Sequence, residues 1–212
     1  MPSTAISAQG STLQVGNGTG AAKTITGIVI GNPTILTITA HGFANGDVVA
    51  LAGLTGTGAA TLNGQSVVVR NRTTNTIAFD IDTTGLTITA AGSATPVQWT
   101  TVGNFKTYSG FDGQPTELDV TNMSSTAKEF KLGLVDFGQL QLEFDQDNAD
   151  AGQVVILAAF NSSLAKQFKL TLPNNNTATF AAFVRKFASN GGVDQIVKRQ
   201  AELRITGAVT WA

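Results

Sequence analysis

The sequence predicts a mainly β protein: a β-sandwich or barrel with one helix packed on it, interrupted by an inserted small all-β domain. Three observations lead there. Short runs of alternating apolar and polar residues recur along most of the 212 residues, punctuated by Gly, Asn and Pro turns. A single stretch, 149–160, has the apolar spacing of a short helix. Between about Ala22 and Ala94 charged residues become sparse, Thr, Gly and Val dominate, and linker-like segments flank both ends.

In chain order, residues 1–9 read as an extended, weakly structured arm. Residues 12–15 make a short strand with Leu13 and Val15 on one face, and Gly16, Gly18 and Gly20 form a flexible joint. Within the insert, strands are expected at 25–30, 34–39, 48–51, 66–69, 76–81 and 86–89. Asn63-Gly64 suits a tight turn, since both residues tolerate positive φ. The domains are therefore 1–21 with 95–212, discontinuous, and 22–94, inserted.

After Pro96, residues 97–108 predict a long strand bulged near Gly103. Leu118 and Val120 alternate with Asp119 and Thr121 as a half-buried strand, and a polar loop follows at Asn122, Met123, Ser124 and Ser125. Phe130, Leu132 and Leu134 precede Asp136 and Gly138. Leu140, Leu142 and Phe144 then alternate with Gln139, Gln141 and Glu143, a strand with one clean apolar face. An acidic turn leads into the helix, whose packed side is expected to be Val154, Val155, Leu157, Ala158 and Phe160, with Asp147 or Asn148 as N-cap. Phe168, Leu170 and Leu172 define the next strand, Phe183, Arg185 and Phe187 share a face of the one after it, and Leu203, Ile205, Val209 and Trp211 share a face of the last. Trp99, Tyr108 and Trp211 sit inside alternating patterns, so burial is expected for all three.

Composition narrows the function classes. Charged residues are 13%, about half the usual ~25% share, and 13 basic against 14 acidic residues leave neither a large net charge nor a dense charged coat. Such a surface repels neighbours poorly. With no cysteine, disulfides and thiolate chemistry are excluded. The first residues lack a signal-peptide pattern and no apolar run approaches the ~18 residues that cross a bilayer, so no membrane insertion and a cytosolic place of synthesis are expected.

The candidate chemistries each fail on spacing. His41 is the single histidine, so a histidine-based metal site or a Ser-His-acid triad has no second shell to draw on, and beside Gly42 a turn or packing role fits it better. Asp145, Asp147 and Asp150 miss the calcium-loop pattern, because the glycine position falls on Asp150 and the twelfth on Ile156. Gly16 to Gly20 lacks the Lys-Ser/Thr of a phosphate loop. Glu117 and Asp119 share a strand face but have no sugar cleft around them, and Lys198, Arg199 and Arg204 are diluted by Asp194 and Glu202. No enzyme, cofactor or metal is expected.

A resemblance adds to this reading. Leu118-Asp119-Val120-Thr121, Ser125-Thr126-Ala127-Lys128-Glu129-Phe130 and Gly133-Leu134-Val135-Asp136-Phe137-Gly138 follow, in order and spacing, motifs of the tail tube (major tail) proteins of long, non-contractile-tailed bacteriophages. The resemblance continues through Thr179 to Val184 and Leu203 to Val209, a little over half of the chain. The insert, through His41-Gly42-Phe43, Asn45 to Val49, Leu62-Asn63-Gly64 and Asn75 to Phe79, resembles the small β domain named after the first catalytic-cysteine half-domain of ubiquitin-activating enzymes. That name implies no ubiquitin chemistry in a chain without cysteine.

The resemblance implies a virion protein assembled in the host cytoplasm. Its copies would form hexameric rings that stack into a tube, with strands lining a barrel through which DNA passes without specific binding. The tape measure, tail terminator and distal tail or baseplate proteins would be its partners. Gln139, Gln141 and Glu143 are the lumen-facing candidates. Asn122, Met123, Ser124, Ser125, Lys128, Glu129 and Phe130 are the ring-stacking candidates, expected with the N-terminal arm to order on assembly. The alternatives are a glycan-binding or adhesin module of a phage fibre or baseplate, and a tube subunit of a secretion-type injection machine.

Overall fold

The computed structural model describes residues 5–211. It is mainly β with one α-helix. In chain order the described elements are β1 (Thr12–Thr19), β2 (Lys23–Ile25), β3 (Gly27–Val29), β4 (Thr34–Thr37), β5 (Val48–Ala52), a 3-10 turn (Ala59–Thr61), β6 (Ser66–Val68), β7 (Thr76–Phe79), β8 (Gly92–Thr101), β9 (Phe105–Gly110), β10 (Pro115–Asp119), β11 (Phe130–Val135), β12 (Gln139–Asp145), α1 (Ala151–Ser162), β13 (Lys166–Thr171), β14 (Thr177–Asn190) and β15 (Lys198–Trp211). Two compact units result: one of residues 5–15, Thr101–Pro173 and Phe180–Val209, the other of Gly16–Thr100, Asn174–Thr179 and 210–211. The arm read at residues 1–9 begins with four residues outside the described ones; residues 5–10 are exposed and carry no strand.

In the second unit β3, β4 and β7 form an antiparallel sheet, while β5 pairs with β6 and β8, and β2 pairs with β8. Period-2 alternation points Leu36, Leu51, Val67, Ile77 and Phe79 inward, where Leu62 and Val69 complete a dry core. Residues 86–89, expected as a strand, form only the isolated bridge of Thr89 to Thr55; Leu86 still packs on the core. In the turn at Asn63-Gly64 only Gly64 takes positive φ, at 81°. Asn63 instead holds the backbone of Leu54, accepting from its N–H at 2.9 Å and donating to its carbonyl at 2.9 Å. Asn63→Ala strands two groups of a buried residue and is expected to cost about 2 kcal/mol. A urea midpoint unchanged from the parent chain would contradict this.

His41 is buried here as a packing residue. Its Nδ1 accepts from the Phe43 N–H at 2.9 Å, which places the ring proton on Nε2, 3.3 Å from the Thr76 carbonyl, and its ring lies 5.0 Å from that of Phe43.

In the first unit the strand order is β1-β13-β14-β15-β12-β9. Leu13 sits opposite Leu170 and Val15 opposite Phe168; Leu140 faces Leu203 and Leu142 faces Ala201. Opposed residues share a face, so these side chains make one buried layer with Phe144, Phe180 and Ala182. Two expectations change. Gly16 to Thr19 continue β1 as strand rather than forming a joint. The long strand at 97–108 is two strands, because Val102 N–H bonds the Leu13 carbonyl, Gly103 N–H bonds the Asp150 carboxylate, and Asn104 turns with φ 57°.

The helix starts later and packs on a different side than its apolar spacing predicts. Asp150, not Asp147 or Asn148, is the N-cap, accepting from Gln153 N–H at 2.8 Å. The buried residues are Gly152, Gln153, Ile156 and Ala159. Closeness decides the face: a Cβ on Gly152 would meet the Thr101 carbonyl at 2.5 Å and Val102 Cα at 2.7 Å, so only glycine lets the first turn approach. The Gln153 side chain accepts from Asp147 N–H at 3.0 Å and donates to the carbonyls of Asp145 at 2.9 Å and Gly103 at 3.3 Å.

Candidate assembly surfaces

Four exposed features of the first unit stand out, beginning with a polar sheet face. On β12, Gln139, Gln141 and Glu143 point away from the core. Their opposed neighbours are Ser109 and Thr107 on β9 and Arg204, Glu202 and Gln200 on β15. The structure thus gathers the three lumen-facing candidates on one wetted face, with a shallow depression of about 180 Å³ between Thr107, Gln141, Glu143 and Lys186. Its acids meet bases: Glu143 with Lys198 at 2.7 Å, Glu202 with Arg185 at 3.6 Å, and Asp136 with Arg204. The Lys198 hydrogen bond holds the Glu143 carboxyl below its usual range, and Glu143 in turn raises Lys198. Backbone N–H donation from Gly138, then Arg204, lowers Asp136.

The second feature is a pair of free strand edges. β9 ends the sheet, with β12 its only described strand partner. Phe111 N–H bonds the Gln139 carbonyl, and in an antiparallel ladder alternate residues face alternate sides, so the Tyr108 and Gly110 backbone groups point outward from β12. Beside this edge a groove of about 680 Å³ runs between residues 8–11 and 105–108, where the Phe105 and Tyr108 rings stack at 6.0 Å. At the other end, β13 has six residues and β14 has 14. The turn that joins them sets β13 against about the first half of β14. From near Phe183 to Asn190 no described strand pairs with that outer side of β14.

The third is a ribbon. Among the described strands β10 and β11 pair only with each other, Leu118 opposite Lys131, Glu117 opposite Leu132 and Asp119 opposite Phe130. The half-buried strand expected at Leu118 and Val120 is therefore corrected: neither face meets a core, Leu118 is 50% exposed, and Leu132 and Leu134 reach 68% and 92%. The ring-stacking candidates Asn122, Met123, Ser124, Ser125, Lys128, Glu129 and Phe130 cluster at its tip. That tip is closed by its own bonds, since Asn122 Oδ1 accepts from Ser124 N–H, Ser125 Oγ from Asn122 N–H, and Thr121 Oγ1 from Glu129 N–H. Met123 projects fully into solvent.

The fourth is the outer side of α1. Its 12 residues contain no charge, and Val154, Leu157 and Phe160 lie exposed along it with Leu164 beyond its end. Most of the stripe expected to pack inward is thus left open, although Val155 is half-buried and the Phe160 ring lies 6.5 Å from that of Phe187.

The acidic turn has structural duties. Asp145 pairs with Lys106 at 3.0 Å, Asp147 accepts from Ala149 N–H at 2.9 Å, and Asp150 caps α1. No group of three metal-ligating side chains occurs among the described residues, and no described helix is long and apolar enough to cross a membrane. Trp211, expected inside, is 50% exposed.

No protein-family model matches the chain, and no curated protein matches it. Among solved structures it is similar to a chain of the anti-feeding prophage baseplate, determined by cryo-electron microscopy with six-fold symmetrisation. The TM-score is 0.43 and the identity 14%, over 54% of this chain and 84% of that one. A likeness that loose assigns neither a role nor a partner.

The sequence showed the alternation of β12 and the polar loop at the ribbon tip, but not which strands carry the free edges, that the ribbon is bare or that the helix side is open. The charge-free run from Ala151 to Ser162 was the one available signal for the last of these.

Proposed function

We propose that the protein is a structural subunit that polymerises through its strand edges into rings, which stack as the tube of a phage tail and conduct DNA. The observation that carries this reading is the unpaired edge of β9 at one end of the strands β14-β15-β12-β9 and the unpaired second half of β14 at the other, with a polar, ion-paired face between them. Strand directions alternate along that order, so β9 of one copy meets β14 of the next antiparallel, and the ladder continues without a break. Closing the sheet across copies removes edges that would otherwise invite aggregation. Four strands from each of six copies, spaced ~4.8 Å apart, close into a barrel roughly 40 Å across, wide enough for a duplex. The buried layer and α1 then lie outside, and Gln139, Gln141 and Glu143 line the channel. The role is structural rather than catalytic, and the other tail proteins named by the resemblance are its partners.

Electron microscopy of the purified, concentrated chain tests this directly: rings or hollow tubes support it, and small monodisperse particles at every concentration overturn it. A narrower test concerns the wall. Glu143→Lys sets a second ammonium beside Lys198 and creates a basic strip where phosphates pass. Tubes carrying it are expected to release DNA more slowly at low salt and near normally at high salt. An effect independent of salt would remove Glu143 from the channel.

A further inference from the structure

We propose that the β10–β11 ribbon of one copy docks on the exposed side of α1 of another, and that this contact joins successive rings. The inference rests on the tube reading and names the surface that receives the ribbon.

A two-stranded ribbon with no layer against it is marginal in water, yet this one carries Leu118, Phe130, Leu132, Leu134 and Val135 in the open, with Met123 at its tip. Phe130, Leu132 and Leu134 share one face and Leu118 and Val135 the other, so the larger apolar face offers roughly 400 Å², as much as the largest patch on an ordinary monomer. Such a ribbon needs a cover.

Charge selects which cover. The ladder puts Glu117 and Asp119 on the same face as Phe130 and Leu132. Ribbon against ribbon in a two-fold pair would set these carboxylates against their own copies. The exposed tip between β14 and β15 offers Val193 and Ile196 but carries Asp194 between them. The side of α1 marked by Val154, Leu157 and Phe160 is apolar, contains no acid, and ends near the half-buried Lys166. Asp150 caps that helix and Asp147 lies exposed just before it, so a ribbon laid with Glu117 and Asp119 toward the Lys166 end meets a lysine there and no acid. Two different patches on one chain make a head-to-tail contact, which closes into a ring or propagates according to its rotation. The edge contact of β9 with β14 closes the ring in this way, and the ribbon contact, directed along the tube axis, propagates from ring to ring.

The chain has no cysteine, so a cross-link reads the contact without background. Leu132→Cys and Val154→Cys are both at exposed positions, and thermal melts confirm that each variant folds like the parent. Mixed under oxidising conditions after assembly, the two variants are expected to give a covalent heterodimer, while neither variant alone gives a homodimer. Leu132→Cys homodimers would show ribbon-to-ribbon pairing and overturn the proposal. Absence of any cross-link in tubes that form normally would overturn it too, leaving the ring reading intact. A parent chain that never leaves the monomeric state would overturn both. Leu132→Glu separates the two contacts further: single rings that no longer stack support the proposal, and unimpaired tubes oppose it.

Discussion

Tyr108→Pro is expected to leave the subunit folded and to abolish ring formation at concentrations where the parent assembles. The Tyr108 N–H points away from β12, so proline removes no bond within the subunit; proline is tolerated on such an edge because the lost donor faced solvent. Within the chain the half-buried Tyr108 ring is lost from beside Phe105 and opposite Leu142, about 1–2 kcal/mol. Between copies the same change deletes a central ladder bond and pushes the pyrrolidine ring into the approaching strand, together about 2–3 kcal/mol per contact. Each 1.4 kcal/mol is tenfold in association, so the concentration at which rings appear should rise roughly 30- to 100-fold. Tyr108→Val keeps the N–H and should assemble close to the parent. Sedimentation velocity across a dilution series measures both, and a proline variant that assembles like the valine variant would rule out pairing through β9.

The second large effect is on stability. Gln153 is 1% exposed and its amide holds Asp147 N–H, the Asp145 carbonyl and the Gly103 carbonyl at once. Gln153→Leu keeps the volume and strands three backbone groups, each costing about 1–3 kcal/mol when water cannot reach it, so a loss of about 4 kcal/mol is expected. Gln153→Glu sharpens the test. An ionised carboxylate still accepts from Asp147 but turns an oxygen toward two carbonyls, so the protonated form is favoured and the folded-state pKa is raised. The variant should therefore be weakest near neutral pH and regain stability as pH falls through that raised value, opposite in sign to loss of a carboxylate ion pair. Urea unfolding at pH 7 and pH 4.5 measures the difference. Equal midpoints for parent and leucine variant would mean that the amide does not tie the helix to the sheet.

What the sequence disclosed and what it hid follow from one assumption. Leu140, Leu142 and Phe144 were legible because one side of β12 meets a core inside the same chain and the other meets water. Alternation is written clearly where burial is complete. The same alternation at Leu118 and Val120, and at Phe130, Leu132 and Leu134, carried the wrong message, since none of the described residues covers them. Apolar pattern reports that a face avoids water, not which molecule shields it.

The helix failed for a related reason. Its larger apolar residues were taken as the packed side, whereas Gly152 and Ala159 permit close contact and Gln153 satisfies the carbonyls around it. Small size and hydrogen bonding set the inner face around Ile156, and most of the other bulk was left outside. The Gly103 bulge was read at the right residue but with the wrong outcome, because the Asp150 carboxylate that takes the Gly103 N–H lies 47 positions away.

Lys106 has a kinetic consequence. It stands on the open strand β9, half exposed and tied to Asp145, and a fixed lysine on a bare margin deters casual sheet growth. A first encounter between two free chains must seat that charge without the neighbours that would later surround it, whereas a chain arriving at a finished ring finds the seat prepared. Growth should therefore begin after a lag that shortens sharply when preformed fragments are added as seeds, keeping fresh chains dispersed until a starting template exists.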